Sequence, residues 1–211
     1  MNNKPCILFL LLLLATQAYA QPAGFTKLES IETVKAKMKK LGESQQSISS
    51  TFTQVKKMEY LDIAIKSQGD FWYAAPANVR WEYTTPYEYI IIINNGKLSL
   101  ISGDNQNDFN LENSEMFEQI NALMVGTVTG NIFNSSDYNV EVFESSGLYL
   151  FNIKPKASFM DGVLTGIDMF LEKESGKVTK IKMIETPENY TEISFANIKL
   201  NEAIPEGIFV P

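Results

Sequence analysis

Apolar positions recur along this chain with two different periods. Between residues 26 and 42, Leu28, Ile31, Val34, Met38 and Leu41 return at helical spacing with lysines mostly between them. That spacing predicts an amphipathic helix, with Gly42 as its stop. From residue 47 the pattern is that of strands: Ser47 to Met58, Leu61 to Tyr73, Val79 to Thr84, Glu88 to Ile93 and Lys97 to Ser102. Asn95-Gly96, between the last two, predicts a tight hairpin because both residues tolerate positive φ. Residues 103–113 are polar and rich in Asn and Asp, which predicts a loop. Ser114 to Val125 predicts a second helix, capped by Ser114 and ended by Gly126, with Met116, Phe117, Ile120, Leu123 and Met124 as its apolar stripe. Residues 127–135 suit a further helical turn. Strands resume at Asn139–Glu144, Leu148–Lys154, Leu164–Glu172, Val178–Glu185 and Glu192–Leu200, with turns at residues 145–147 and 174–177.

About ten strands joined by hairpins, with helices only near the start and the middle, predict a mainly β, α+β chain with a meandering antiparallel sheet. Two strands are apolar on both faces: Tyr89-Ile90-Ile91-Ile92-Ile93 and Leu148-Tyr149-Leu150-Phe151. A sheet solvated on one side alternates more cleanly, so something covers both faces here. Either these are central strands in an ordinary core, or a curved sheet lines a cavity.

The N-terminus changes the setting. Lys4, the apolar run from Cys6 to Leu14 and the small-residue site Ala18-Tyr19-Ala20 read as a secretory signal over residues 1–20, leaving one domain over residues 21–211. The run is shorter than the ~20 apolar residues needed to span a bilayer core. Cys6 is the only cysteine and would leave with the signal; the chain has no histidine. That composition excludes nitrogen- and sulfur-ligated zinc or copper sites and Cys- or His-activated nucleophiles. The formal charge is −7; without Lys4 it becomes 17 − 25 = −8. An acidic chain suits neither nucleic acid nor an anionic lipid surface. Lys35, Lys37, Lys39 and Lys40 form one basic run, either a solvated helix face or a docking patch.

Two acidic groupings are weak candidates. Asp104, Asp108, Glu112 and Glu115 approach calcium-loop spacing, but Phe109 stands where that loop needs Gly. Asp161 and Asp168 would be the pair of a carboxylate-based hydrolase, and nothing else in the sequence supports it.

The most informative stretch is aromatic. Phe52-Thr53-Gln54 is followed by Gly69-Asp70-Phe71-Trp72-Tyr73, then Pro76, then Arg80-Trp81-Glu82-Tyr83 and Pro86. In a strand Arg80 and Trp81 point to opposite faces. With Asn94-Asn95-Gly96-Lys97 and the closing Ile204-Pro205-Glu206-Gly207-Ile208-Phe209-Val210-Pro211, this order resembles the outer-membrane lipoprotein carrier family of LolA-like proteins. The resemblance runs over essentially all of residues 21–211. It implies an unclosed antiparallel barrel of about eleven strands covered by about three helices, enclosing an apolar cavity for lipoprotein acyl chains. It implies a soluble, monomeric periplasmic carrier that takes cargo from an inner-membrane ABC-type releaser to an outer-membrane acceptor, needs no cofactor and catalyses nothing. Another lipid or glycolipid cargo in the same fold is the alternative.

On this reading Phe52, Phe71, Tyr73, Trp81, Tyr83, Ile91, Ile93, Leu100, Met116, Ile120, Leu123 and Phe151 line the cavity. Met38, Met116 and Met124 are either soft lid contacts or plain core. Many family members carry an Arg before the turn proline, where it latches the helical lid; this chain has Ala75 there. Its single arginine, Arg80, is the candidate substitute for that latch.

Overall fold

The computed structural model describes residues 22–61, 63–111, 137–156 and 164–211. The expected signal over 1–20, the helix over 114–125 and the turn at 127–135 lie outside these residues. Among the described residues twelve strands and one helix follow in chain order: β1 (Thr26–Lys27), α1 (Glu32–Ser44), β2 (Ser47–Lys57), β3 (Ile65–Ala74), β4 (Asn78–Thr85), β5 (Tyr89–Asn94), β6 (Lys97–Ser102), β7 (Asn105–Asn110), β8 (Tyr138–Glu144), β9 (Leu148–Pro155), β10 (Gly166–Glu172), β11 (Val178–Ile184) and β12 (Tyr190–Leu200). All pairings are antiparallel. They give one sheet in the order β1-β8-β9-β10-β11-β12-β2-β3-β4-β5-β6-β7. The ends of that order, β1 and β7, do not pair with each other, so the sheet is an unclosed half-barrel.

The meander is therefore two blocks, β2–β7 and β8–β12, joined where β12 lies along β2. Chain order places β12 beside β11 only. Its long ladder with β2, from Tyr190↔Lys57 to Leu200↔Ile48, is a tertiary event. Asn201, with φ 59°, anchors the end of that seam. Its side-chain Oδ1 accepts from the Gln46 amide at 2.7 Å, and its Nδ2 donates to the Ser44 carbonyl at 3.1 Å. One residue thus ties the exit of α1, the start of β2 and the end of β12.

Three expected elements differ. The first helix was expected over 26–42 but spans Glu32–Ser44, because residues 26–27 pair with β8 and the Leu28 amide donates to the Val142 carbonyl at 2.9 Å. Leu28 and Ile31 still pack on the same cluster as Val34 and Met38, so the helical spacing held while the backbone did not. Gly42 does not stop the helix; it is buried within it, and the Gln45 amide closes onto its carbonyl. Finally, residues 105–110 form a strand where a loop was expected. All six are exposed, and β7 pairs only with β6 among the described strands. An edge strand solvated on both faces carries no apolar alternation, so period-2 reading has nothing to detect.

The apolar strands are covered twice, but by different things. Cross-strand partners share a face. On the inner face, α1 packs through Val34 and Met38 onto Val142, Phe151, Ile153, Ile167, Met169 and Leu171. On the outer face, Leu150 lies between its partners Phe143 and Phe170, and the Phe25 ring meets Phe170 at 5.9 Å. Ile92, 1% exposed, also faces outward, beside its partner Arg80. There the C-terminal tail crosses: an Arg80 guanidinium N–H donates to the Ile208 carbonyl at 3.2 Å, and Asn94 Nδ2 to the Phe209 carbonyl at 3.0 Å. The two terminal segments thus cover the outer face where the strands are apolar.

Candidate functional site

Strand register assembles the site. Phe52 on β2 stands opposite Gly69 on β3, which stands opposite Tyr83 on β4. Phe71 stands opposite Trp81, and Tyr73 opposite Val79. Trp81 faces Ile91, Val79 faces Ile93, and Ile91 faces Leu100 on β6. All of these side chains therefore leave the same, inner, face. Phe151, on β9, shares that face with its partners Val142 and Met169. The nine described lining candidates thus stand on one surface, eight of them in the β2–β6 block and Phe151 under α1. Met116, Ile120 and Leu123, with Met124, lie outside the described residues.

The aromatic rings pack edge to face. Trp81 meets Phe52 at 5.1 Å and Phe71 at 4.9 Å between centroids, and Phe52 meets Tyr83 at 5.0 Å. Gly69 makes the last contact possible. It presents no side chain between Phe52 and Tyr83, so their rings close over bare backbone. The ladder shifts register between Gln68 and Gly69, and a Cβ on Gly69 would stand 1.8 Å from the Glu82 carbonyl oxygen. The glycine of the Gly-x-Phe motif is there because the backbones of β3 and β4 touch.

Polar tips in this aromatic set are mostly paired. The Tyr83 hydroxyl donates to Gln54 Oε1 at 2.9 Å, and the Tyr73 hydroxyl to the Pro76 carbonyl at 3.2 Å. Burial raises the pKa of both tyrosines; for Tyr83 the adjacent Tyr89, stacked at 4.2 Å, adds to the shift. The Tyr83 phenol is thus favoured in its protonated form by the fold. Its contribution to stability is complete below the unfolded-state value near 10 and is lost as pH rises towards the higher folded value. A denaturant midpoint followed from pH 9 to pH 12 should fall with pH, and should fall less in Tyr83→Phe.

Among the remaining candidates, Arg80 stands apart. It points to the outer face, pairs with Glu82 at 2.8 Å and donates to the tail at Ile208. Ala75 is half-buried against the aromatic cluster, with its amide on the Gln46 carbonyl at 2.9 Å. Asp108 lies in strand β7 and is held below its ordinary pKa chiefly by Gln106, whose amide donates to it. Asp168 stands beside Asn152, which donates to it at 2.6 Å, and the register sends both to the outer face. Asp161, Glu112 and Glu115 lie outside the described residues. Among those described, no three His, Cys, Asp or Glu residues come close enough to hold a metal ion. No helix there is long and apolar enough to cross a membrane.

Sequence reasoning missed part of the surface. Ile48, Val79, Ile193 and Phe195 belong to the same cluster. The alternation Ile193-Ser194-Phe195 was available as a signal, but its destination beside Phe52 was not.

Residues 43–211 match the family model described as outer membrane lipoprotein carrier protein LolA. The chain is 24% identical over 179 residues to an outer-membrane lipoprotein carrier protein of Idiomarina loihiensis, covering 85% of this chain and 83% of that one. It is 24% identical over 195 residues to one from Methylococcus capsulatus, covering 84% and 82%. Among solved structures it resembles a chain of the Pseudomonas aeruginosa MucA/MucB complex, with a TM-score of 0.53 and 13% identity over 85% of this chain. It spans 60% of that chain's length. A conserved protein of uncharacterised role from Thermus thermophilus shares the fold at a TM-score of 0.50 and 7% identity, covering 84% of this chain and 91% of that one.

Proposed function

The chain belongs to the outer membrane lipoprotein carrier family LolA, and on that premise we propose that its inner face holds the acyl chains of lipoproteins and carries them across the periplasm. Cargo would come from an inner-membrane ABC-type releaser and pass to an outer-membrane acceptor. The observation that carries the reading is the continuity of the inner face. Register lines up Phe71, Trp81, Ile91 and Leu100 across four neighbouring strands, with Phe52 on the same face of β2 in the adjacent row. Helix α1 packs on the β8–β11 end, and the described residues place no helix in the aromatic cluster.

The energetics suit a carrier. Removing one CH₂ from water is worth ~0.8 kcal/mol, so a long acyl chain offers on the order of 10 kcal/mol before ordering costs. A surface made mainly of rings and branched aliphatics supplies that chiefly through non-directional contacts, which leaves the cargo free to depart again. Arg80 enters this reading as the clamp of the C-terminal tail, since its described bonds all run along the outer face.

The test is capture of a radiolabelled, triacylated lipoprotein from detergent-free vesicles by purified protein, beside Ile91→Glu. Ile91 is half-buried at the centre of the inner face. A carboxylate there must be desolvated against hydrocarbon or neutralised, either of which costs several kcal/mol. Capture should fall at least tenfold in the variant while its circular dichroism stays that of the parent. Undiminished capture by a folded Ile91→Glu protein rules the inner face out as the cargo surface.

A further inference from the structure

Two polar groups inside the aromatic set have no partner: the Trp81 indole N–H and the Ser50 hydroxyl are buried and unbonded. They are the only buried side-chain nitrogen or oxygen atoms so left among the described residues. Their neighbours show that the fold pairs such groups when it has the means. Tyr83 finds Gln54 across the sheet, and Tyr73 finds the Pro76 carbonyl in the turn that follows it. Ser50 stands opposite Phe71, and Phe71 opposite Trp81, so the two orphans lie in one row across β2, β3 and β4. Two strand spacings of about 4.8 Å put their backbones roughly 10 Å apart, with the Phe71 ring between.

An indole N–H only donates, and a hydroxyl can donate. Both therefore call for an acceptor, in a place where leaving a donor unmet is costly. A bare hydrocarbon chain offers none. A carbonyl oxygen at the head of a fatty chain offers one, and its tail would run on over the apolar surface beyond. We infer that Trp81 and Ser50 form a polar anchor for the carbonyl oxygens of an ester- or amide-linked acyl group, which fixes how deep the chain enters. The inference rests on the acyl-binding reading above and adds which atoms of the cargo are recognised.

The probes are a dioleoylglycerol and its dialkyl-ether counterpart, which has the same chains and no carbonyls. Binding is measured by displacement of an environment-sensitive fluorescent fatty chain. The intact protein should hold the ester about five- to tenfold more tightly than the ether, the worth of one buried hydrogen bond. Ser50→Ala and Trp81→Phe should each bring that ratio towards one, whatever either does to affinity for the ether. A second readout guards against misfolding. In Trp72→Phe, where Trp81 is the remaining tryptophan, the ester should move the emission to longer wavelength relative to the ether. Equal affinity for the two lipids in the intact protein, or identical emission with both, overturns the anchor while leaving acyl binding standing. Failure to bind either lipid overturns the carrier reading itself, and the anchor with it.

Discussion

Gly69→Ala should be the most damaging glycine-to-alanine change among the described residues. The added Cβ would meet the Glu82 carbonyl oxygen at 1.8 Å and its carbon at 2.8 Å, both backbone atoms held in the β3–β4 ladder. Neither can rotate aside, so the two strands must part at the register shift, breaking ladder bonds and pulling Tyr83 from Phe52. A loss of at least 3 kcal/mol is expected, in the range reserved for strain that the surroundings cannot absorb. Against a total stability of about 5–15 kcal/mol, that is enough to populate unfolded chain. Urea unfolding of the parent and variant measures it. Gly147→Ala is the matched control, because a Cβ there meets nothing within 4 Å, and its effect should stay within about 0.5 kcal/mol. If the two alanine variants unfold alike, close backbone approach is not what Gly69 serves.

The second large effect is expected at Phe52. Its side chain is 2% exposed and is the hub of the inner face, touching Trp81 and Tyr83 edge to face. Gly69, its partner across the ladder, has no side chain to move into the space. Nor can β12 close in, since its ladder with β2 is regular from Tyr190 to Ala196, and Phe195 stands opposite Phe52 within it. The site therefore relaxes little, and Phe52→Ala should cost about 3–5 kcal/mol, the range for a ring removed from a core that cannot collapse. Phe52→Leu, which keeps most of the volume, should cost well under half of that. Thermal or urea unfolding separates the two. Similar losses for alanine and leucine would mean that ring geometry rather than filled volume decides stability here.

These two residues also show why part of the site was legible. Phe-x-Gln, Gly-x-Phe and Arg-Trp-x-Tyr name side chains two apart in strands, and period 2 sends such residues to one face. The Asn95-Gly96 turn then fixes the register of β5 against β6, because Asn94 and Lys97 must face each other across a two-residue loop. Given strands and turns, the common face of Trp81, Ile91 and Leu100 follows. What Gly69 excludes, and that Ile193 and Phe195 arrive beside Phe52, depends on β12 joining β2 across more than 130 residues of chain. No local pattern encodes that pairing.

Arg80 teaches the complementary lesson. Alternation placed it opposite Trp81, on the outer face. Its partners there, Glu82 and the Ile208 carbonyl, come one from its own strand and one from the chain's end.

By itself, the sequence determined the β-rich class, nearly every hairpin and the set of side chains that leave each strand together, because these follow from periods of a few residues and from turn chemistry. The helix start, the polar edge strand, the seam between the two blocks and the terminal segments laid over the outer face were decided only in three dimensions. Each depends on which distant backbone or apolar patch is within reach once the sheet has curved, and a linear pattern carries no measure of that distance.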